Sequence, residues 1–304
     1  MKAVRVHRFG GLDAMVVEDV PPPVPGPGEV LVRVRAAGVG PWDAWVRAGR
    51  SALPQPLPLT LGSDVSGVIE AAGAAFAAGD EVFGVTNAQF TGGYAELAVC
   101  EAGMLARKPA GLAHPEAASV PVVATTAWQM VFDHGHVGAT TRVLVHGAVG
   151  NVGAFAVQLA KRAGAHVTAA VRTRDVPAAR ALGTDAVVDV ERSRFEEQVR
   201  DVDVVLDTIG GETLARSFAV LKPGGALVSS AGTPDEREAR RRGVRAVFFL
   251  VAVTTARLTE IGALLQAGDL RTNVGEVLPL ADARLAHEML AGKPHRSGKI
   301  VLVP

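Results

Sequence analysis

The sequence lacks the cysteines of a disulfide framework, the net positive charge of a nucleic-acid-binding protein and the long apolar runs of a membrane protein. Its 304 residues include one cysteine, Cys100, so no internal disulfide can form. Its 31 basic and 31 acidic side chains cancel to a net charge of zero, which gives no electrostatic attraction to nucleic acid or to anionic lipid. No apolar run reaches the length of a membrane span. We therefore expect a soluble protein with no nucleic-acid or membrane partner.

Two further signals are missing from the sequence. The residues from Met1 to Phe9 alternate charged and apolar side chains as a strand does, without the apolar core and cleavage site of a signal peptide. A cytoplasmic location is therefore expected. No Gly-x-Ser-x-Gly sequence occurs, which excludes a serine hydrolase built on that nucleophile elbow.

What remains is a globular composition, with 48% hydrophobic and 20% charged residues over a length that suggests two domains. Residues 1–120 show short strand patterns separated by proline and glycine, among them a tract over 21–28 that we interpret as a rigid loop. Cys100 falls on one such strand, where a buried, inert thiol is expected. From residue 141, apolar strands alternate with amphipathic helices, as in a parallel sheet covered on both faces.

The predicted fold class is α/β, with a mostly-β domain and a doubly wound parallel-sheet domain. The first covers residues 1–120 and is completed by 268–304, whose final strand should return to it. The second covers residues 121–267. Its six predicted strands are 142–146, 166–171, 185–190, 202–207, 226–231 and 246–251.

The strongest chemical signal is the series Gly147-x-x-Gly150-x-x-Gly153, which follows the first of these strands. An apolar stripe at three- and four-residue steps then predicts a helix that ends at Gly164, and a second strand follows. Glycines at such a turn let the backbone approach a pyrophosphate, and the helix start offers N–H groups and a positive dipole end. A turn that only packs is the alternative. The predicted dinucleotide-binding residues are Gly147, Ala148, Gly150, Asn151, Val152 and Gly153.

The end of the second strand favours NADPH over NADH. NAD-binding versions of this unit place an acidic residue there for the ribose hydroxyls. This chain has Arg172, Thr173 and Arg174 instead, with no acidic residue before Asp175. Guanidinium groups can bind a 2′-phosphate through two hydrogen bonds. We expect Arg172 to hold the phosphate first and Arg174 second, although both could be exposed arginines at a helix start.

Several segments together resemble the medium-chain dehydrogenase/reductase superfamily, specifically its zinc-independent, quinone oxidoreductase-like branch. They match in order along nearly the whole chain. The segments are Ala37-Gly-Val-Gly-Pro-Trp-Asp43, Leu61-Gly-Ser-Asp-Val-Ser-Gly67, Gly79-Asp-Glu-Val-Phe-Gly84, Gly92-Gly-Tyr-Ala-Glu96, Thr125-Thr-Ala-Trp-Gln129, the glycine series, Asp207-Thr-Ile-Gly-Gly211 and Gly298-Lys-Ile-Val-Leu302. The resemblance implies a GroES-like first domain, a Rossmann second domain, an active-site cleft between them and a homodimer.

Alcohol dehydrogenases of this superfamily hold a catalytic zinc through cysteine and histidine, and this chain departs from them. The position that resembles the first cysteine ligand is Gly40, and the one that resembles the histidine ligand is Ser63. A structural zinc lobe would need four cysteines. We therefore expect no zinc, and without a Lewis acid simple alcohol oxidation is implausible. A quinone, or an alkene conjugated to a carbonyl, accepts hydride without such help.

The residues around the substrate follow mainly from the resemblance. It points to a pocket of Gly40, Trp42, Trp45, Phe248 and Phe249, with Phe248 and Thr126 also contacting the nicotinamide. Many relatives carry asparagine where this chain has Gly40. Tyr94 is the one tyrosine and is a candidate proton donor, although its setting favours a structural strand entry. Asp43 could orient a water, although capping of a turn is the stronger interpretation. No convincing general acid is found.

Two alternatives to a quinone reductase stay open at this point. An NADPH-dependent enoyl or alkenal reductase would use the same scaffold and would need a proton donor such as Tyr94. A non-catalytic NADPH-binding regulatory protein could bind an anionic partner through the basic stretch 237–245. The glutamates interspersed there favour a solvated helix face instead.

Overall fold

The computed structural model describes residues 1–71 and 75–304 in two units. Unit 1 consists of Met1–Val122 and Val253–Pro304, and unit 2 consists of Val123–Ala252. The first boundary, at 122/123, lies close to the predicted change at 120/121. The second boundary, at 252/253, lies earlier than the predicted change at 267/268.

The described strands, in chain order, are β1 (Lys2–Val6), β2 (Met15–Asp19), β3 (Glu29–Val39), β4 (Leu59–Thr60), β5 (Asp64–Ala71), β6 (Glu81–Val85), β7 (Leu97–Glu101), β8 (Leu105–Arg107), β9 (Arg142–His146), β10 (His166–Val171), β11 (Ala186–Asp189), β12 (Val202–Asp207), β13 (Leu221–Ser229), β14 (Arg245–Phe248), β15 (Val274–Pro279) and β16 (Lys299–Val303). The loop over 21–28 separates β2 from β3, as predicted.

The described α-helices are α1 (Pro41–Arg47), α2 (His114–Ala118), α3 (Pro121–Trp128), α4 (Asn151–Arg162), α5 (Val176–Ala181), α6 (Phe195–Gln198), α7 (Gly211–Ser217), α8 (Glu236–Arg242), α9 (Thr255–Ala267) and α10 (Ala283–Leu290). Helix α3 continues into a π-helical turn, Gln129–His134, and a 3-10 turn, Thr173–Asp175, follows β10. None of the helices among the described residues is long and apolar enough to cross a membrane.

The described strands of unit 2 form one parallel sheet in the order β11-β10-β9-β12-β13-β14. Numbered within the unit this is 3-2-1-4-5-6, the order of a Rossmann domain, whose direction of winding switches between the first and fourth strands. The central strands are apolar along their length because helices cover both faces; Val143, Leu144 and Val145 of β9 are all buried. The predicted doubly wound parallel sheet is confirmed.

The seven strands of the larger described sheet of unit 1 include β3, β5, β6 and β8, with β7 pairing on β3. The C-terminal strand β16 returns to this sheet as predicted, since Ile300 pairs with Val39 in an antiparallel register. A smaller described sheet has the order β2-β1-β4. Cys100 lies buried on β7, and burial raises the pKa of its thiol. The expected buried strand position is confirmed, and the raised pKa disfavours the reactive thiolate.

Helix α9 explains why the second boundary differs from the prediction. Leu258 and Ile261 are buried, and Gly262 faces Pro109 and Phe83, with a Cβ at residue 262 placed 3.4 Å from Pro109 Cγ. The Thr255 hydroxyl donates to the Ala102 carbonyl at 3.2 Å. The helix therefore packs on unit 1, although its sequence continues the strand-helix alternation of unit 2.

A buried ion pair ties β16 to β5. Lys299 Nζ lies 2.9 Å from Asp64 Oδ2, with the two side chains 1% and 0% exposed. Asp64 Oδ1 also accepts the Val122 N–H at 3.0 Å. Burial raises the pKa of the Asp64 carboxyl, and Lys299 opposes that rise. Because water cannot solvate either partner, removing one leaves an uncompensated buried group.

We predict that Lys299→Met lowers the free energy of unfolding by roughly 3–5 kcal/mol, the range found when one partner of a buried pair is removed. Urea unfolding measures the loss. A double variant, Lys299→Met with Asp64→Asn, should recover part of it. The control is Arg33→Met, which breaks an exposed ion pair with Glu70 between β3 and β5; water screens that pair, so its loss should be much smaller. Equal losses for the two single variants would contradict the role assigned to Lys299.

Candidate dinucleotide site and active-site residues

The glycine turn connects β9 to α4 at the switch point of the parallel sheet. Gly147 has a φ of +68°, and a Cβ there would lie 2.5 Å from Thr208 Oγ1. A Cβ on Gly153 would overlap the Gly147 carbonyl oxygen. Gly150 caps α4 and donates its N–H to the same carbonyl at 2.9 Å. Steric overlap therefore accounts for Gly147 and Gly153, and a Cβ on Gly150 would come within 3.2 Å of the Gly147 carbonyl oxygen. The turn lies against the first turn of the helix.

The start of α4 has the features of an anion site. The first N–H groups of a helix have no partner within the helix and carry the positive end of its dipole. No described side chain caps α4 at Gly150. The predicted residues Asn151 and Val152 are half-buried in this first turn, and Ala148 is buried beneath it. The structure thus brings together all six residues predicted to bind the pyrophosphate.

A second loop, which the sequence reasoning did not place at the site, lies beside this turn. Asp207 ends β12 next to His146 of β9, and its carboxylate accepts the N–H groups of Ile209 and Gly210 and the Ser229 hydroxyl. The Thr208 hydroxyl donates to the His146 carbonyl at 2.8 Å. Ile209 is left 57% exposed. A glycine pair three residues after the end of a buried strand, Gly210-Gly211, was the sequence signal for this loop.

The arginines predicted to select the cofactor lie where β10 ends. Arg172 and Arg174 are exposed on either side of Thr173, in the 3-10 turn that follows the strand. Among the described residues, none pairs with the Arg172 guanidinium, and the carboxylate of Asp175 lies 3.8 Å from Arg174 Nε. The Thr173 hydroxyl donates to Asp189 at 2.8 Å, which orients the turn.

The other residues predicted near the nicotinamide also belong to unit 2. Phe248 ends β14, so it lies at the same edge of the sheet as the glycine turn, and it is 40% exposed. The ring of Phe249 packs on His134 instead, with centroids 4.5 Å apart. Thr126 lies in α3 and is 6% exposed. Phe249 thus has a packing partner, whereas Phe248 leaves an aromatic face open.

In unit 1, an indole ring fills the space beside Gly40. A Cβ on Gly40 would overlap the Trp42 ring, whose Nε1–H donates to Ser63 Oγ at 2.9 Å. Lys299 Nζ lies 4.4 Å from the centroid of the same ring, close enough for a cation–π interaction. Gly40 and Ser63, the two positions that resemble zinc ligands, therefore offer no thiolate or imidazole. Trp45, by contrast, is 52% exposed.

Asp43 and Tyr94, the two candidates for a proton-transfer role, are both completely buried. Asp43 Oδ2 accepts the Gly40 N–H at 2.8 Å, which caps α1 as the sequence favoured. The same oxygen accepts the Tyr94 hydroxyl at 2.9 Å. Burial raises the pKa of Asp43 to about 7, although these hydrogen bonds and Lys299 oppose the rise, and burial also raises the pKa of Tyr94. Neither group faces solvent, so the contact supports a structural role.

The buried polar cluster continues to α10. His287 packs edge-on to the Tyr94 ring with centroids 6.0 Å apart, and its Nδ1 lies 2.8 Å from Arg47 Nη1. Burial and the adjacent Arg47 lower the pKa of His287 to about 3. Among the described residues, no partner reaches Asp43 Oδ1, Arg47 Nε or His287 Nε2. The sequence reasoning did not single out Arg47 or His287.

The remaining candidate features have ordinary explanations. No three histidine, cysteine, aspartate or glutamate side chains in the described part of the chain are grouped to hold a metal ion. In the basic stretch, Arg240 pairs with Glu236, and Arg241 and Arg242 pair with Glu238. These pairs within α8 support a solvated helix face whose charges are already neutralised, rather than a surface that binds an anion.

We predict that Asp43 makes the stability depend on pH. Its pKa rises from 3.8 unfolded to about 7 folded, so the folded state keeps a proton that the unfolded chain loses, and stability falls as the pH rises from 4 to 7. The fall amounts to at most roughly 4 kcal/mol at about 1.4 kcal/mol per pKa unit. Asp43→Asn should therefore gain stability relative to the unaltered protein across this window, as measured by urea unfolding at each pH.

The control for Asp43→Asn is Asp282→Asn, the same change at an exposed aspartate of unit 1. Its unfolding free energy should follow that of the unaltered protein at every pH. If the curves for Asp43→Asn and the unaltered protein run parallel between pH 4 and 8, Asp43 does not hold the proton.

Comparisons with known proteins agree with both units. A model of the alcohol dehydrogenase GroES-like domain matches residues 26–110, and one described as zinc-binding dehydrogenase matches residues 182–302. The quinone oxidoreductase of Pongo abelii is 31% identical over 100% of this chain and 98% of its own length. A mitochondrial NAD(P)H oxidoreductase of Danio rerio is 33% identical over 91% of this chain and 84% of its own length.

A solved structure leads to the same assignment. The quinone oxidoreductase from Coxiella burnetii superposes with a TM-score of 0.93 at 29% identity, over 100% of this chain and 99% of that one. The GroES-like and Rossmann expectations are confirmed. Because two relatives are more than 30% identical over nearly the whole chain, the likeness shows membership of a family as well as a shared fold. The chain therefore belongs to the medium-chain dehydrogenase/reductase superfamily, in its quinone oxidoreductase-like branch, and is an oxidoreductase.

Proposed function

We propose that this oxidoreductase uses NADPH to reduce a quinone or a similar small electrophile, without zinc. When bound, NADPH supplies the hydride. The observation that carries the proposal is the combination of a glycine turn at the sheet switch point with an exposed Arg172 where β10 ends, whose guanidinium has no partner in the described part of the chain. The names of the Pongo abelii and Coxiella burnetii relatives support a quinone as the acceptor.

In this proposal the residues of unit 2 bind and orient the cofactor. The first-turn N–H groups of α4 and the backbone of the glycine turn hold the pyrophosphate. Arg172 binds the 2′-phosphate, and Thr173 and Arg174 assist it; a planar guanidinium can make two parallel hydrogen bonds to such a group. Thr126 and Phe248 contact the nicotinamide.

The zinc-free part of the proposal is supported by donor chemistry. Zinc in dehydrogenases needs thiolate, imidazole or carboxylate ligands. Gly40 has no side chain, and the Ser63 hydroxyl already accepts the Trp42 N–H. The segment 182–302 that matches the zinc-binding dehydrogenase model contains no cysteine. An acceptor that needs no Lewis acid suits these residues best.

The aromatic residues predicted for the acceptor pocket differ in their surroundings within each unit. Ser63 and Lys299 fix the Trp42 ring from two sides, whereas Trp45 and Phe248 expose aromatic surface suited to a flat molecule. Tyr94 is buried and donates its hydroxyl to Asp43, which argues against it as the proton donor that an enoyl or alkenal reductase would need. A cytoplasmic location and a homodimer complete the proposal, and light scattering coupled to size exclusion tests the latter.

For the cofactor, we predict that Arg172→Ala lowers kcat/KM for NADPH by about ten- to a hundredfold, the worth of one or two charge-assisted hydrogen bonds. The value for NADH should change by less than about twofold, because NADH lacks the 2′-phosphate. Initial rates with one quinone and each cofactor measure both. Arg237→Ala, at another exposed arginine of unit 2, is the matched control. A loss that is the same for the two cofactors would argue against a phosphate contact.

For the acceptor, we predict NADPH oxidation with benzoquinone or phenanthrenequinone and little or none with a simple ketone. A 2-alkenal in the same panel distinguishes the double-bond reductase. Activity should survive dialysis against a chelator, and elemental analysis should find well under one zinc per chain. Turnover of the ketone alone, or activity lost with the chelator and restored by zinc, would overturn the proposal.

A further inference from the structure

A carboxylate already occupies part of the proposed 2′-phosphate site. Glu191 follows β11, and its Oε2 accepts the backbone N–H of Thr173 at 3.0 Å. Strands β10 and β11 are parallel neighbours, with Val171 opposite Asp189, so the segments after them lie side by side. The contact joins the two segments across the ends of these strands.

The Thr173 N–H is the kind of group that a phosphate oxygen binds. It lies in the turn between Arg172 and Arg174, and backbone N–H groups beside guanidinium groups are common phosphate ligands. Glu191 places one negative charge on this N–H. A 2′-phosphate that approached the same N–H would have to displace the carboxylate and would meet its charge at close range.

The surroundings distinguish Glu191 from its neighbour Asp189. Asp189 accepts the Thr173 hydroxyl and the Glu191 N–H and lies 3.4 Å from Arg192 Nε, so it holds the segment in shape. Glu191 is exposed and is held through the Thr173 N–H. Its side chain can therefore turn into water when an anion takes its place, and removing its charge leaves the Asp189 contacts intact.

We propose that Glu191 sets the balance between NADPH and NADH by competing with the 2′-phosphate for the Thr173 N–H. The carboxylate weakens the binding of NADPH and leaves that of NADH nearly unchanged, since NADH brings no charge to this position. The chain thus combines arginines that favour the phosphate with one acidic side chain that opposes it. This inference rests on the proposed use of NADPH.

The test is Glu191→Gln, which keeps the size of the side chain and removes its charge. We expect the KM and the dissociation constant for NADPH to fall about three- to tenfold, as for loss of one partly screened like-charge contact. The values for NADH should change by less than about twofold. Adenosine 2′-monophosphate should bind more tightly to the variant by a similar factor, and adenosine 5′-monophosphate should not. A purely structural effect would move both cofactors together.

The matched control is Glu197→Gln, the same change at an exposed glutamate on α6, which should alter neither cofactor. If Glu191→Gln leaves the ratio of NADPH to NADH affinity and the binding of adenosine 2′-monophosphate unchanged, the inference is wrong, whatever the acceptor. If the unaltered protein oxidises NADPH with no acceptor in the panel, the proposed function fails instead. The nucleotide-binding measurement still decides the role of Glu191 in that case, because it needs no turnover.

Discussion

The contact between the Gly147 carbonyl and the start of α4 is the constraint on which unit 2 depends. This carbonyl accepts the Gly150 N–H at 2.9 Å, and a Cβ on Gly153 would overlap it. The Gly147 N–H in turn donates to the Ala170 carbonyl of β10 at 3.2 Å. One turn therefore fixes the helix, its own strand and the neighbouring strand together. A side chain at residue 153 would push α4 away and would withdraw its N–H groups from any bound anion.

In unit 1, a connected set of buried polar contacts holds Trp42 and the helix that carries it. The Asp43 carboxylate binds both the start of α1 and Tyr94, so it fixes the helix segment that carries the indole. Lys299 then covers one face of the ring, and Asp64 holds Lys299. Each buried polar group in this set is costly without its neighbour. Ordered indole and ammonium groups thus lie where the resemblance to zinc dehydrogenases would lead one to look for ligands.

How far the sequence could predict this structure depends on the range of the interactions. The bounds of β9, β10 and β12 agree with the prediction because buried parallel strands are continuous apolar runs between turns. Strand β13 begins five residues before the predicted start, at Leu221, since its Lys-Pro-Gly-Gly start has the composition of a loop. The Asp43 cap is local, three residues from Gly40, and was predictable. The Lys299 contact joins positions 235 residues apart, so no local pattern could indicate it.

The turn proposed to select the cofactor also depends on contacts that a local sequence pattern does not reveal. The sequence signal for NADPH lies at the end of the second Rossmann strand, where Arg172 and Arg174 occur and no acidic residue precedes Asp175. In the folded sheet that position also borders the end of β11, which brings Asp189 and Glu191 to the same turn. In the proposed site, the charge around a 2′-phosphate would therefore depend on two strand ends, Val171 and Asp189, that are 18 residues apart in sequence. The end of β10 alone shows the arginines, whereas the Glu191 carboxylate at the Thr173 N–H comes from the neighbouring strand end and has no signal in the sequence of β10.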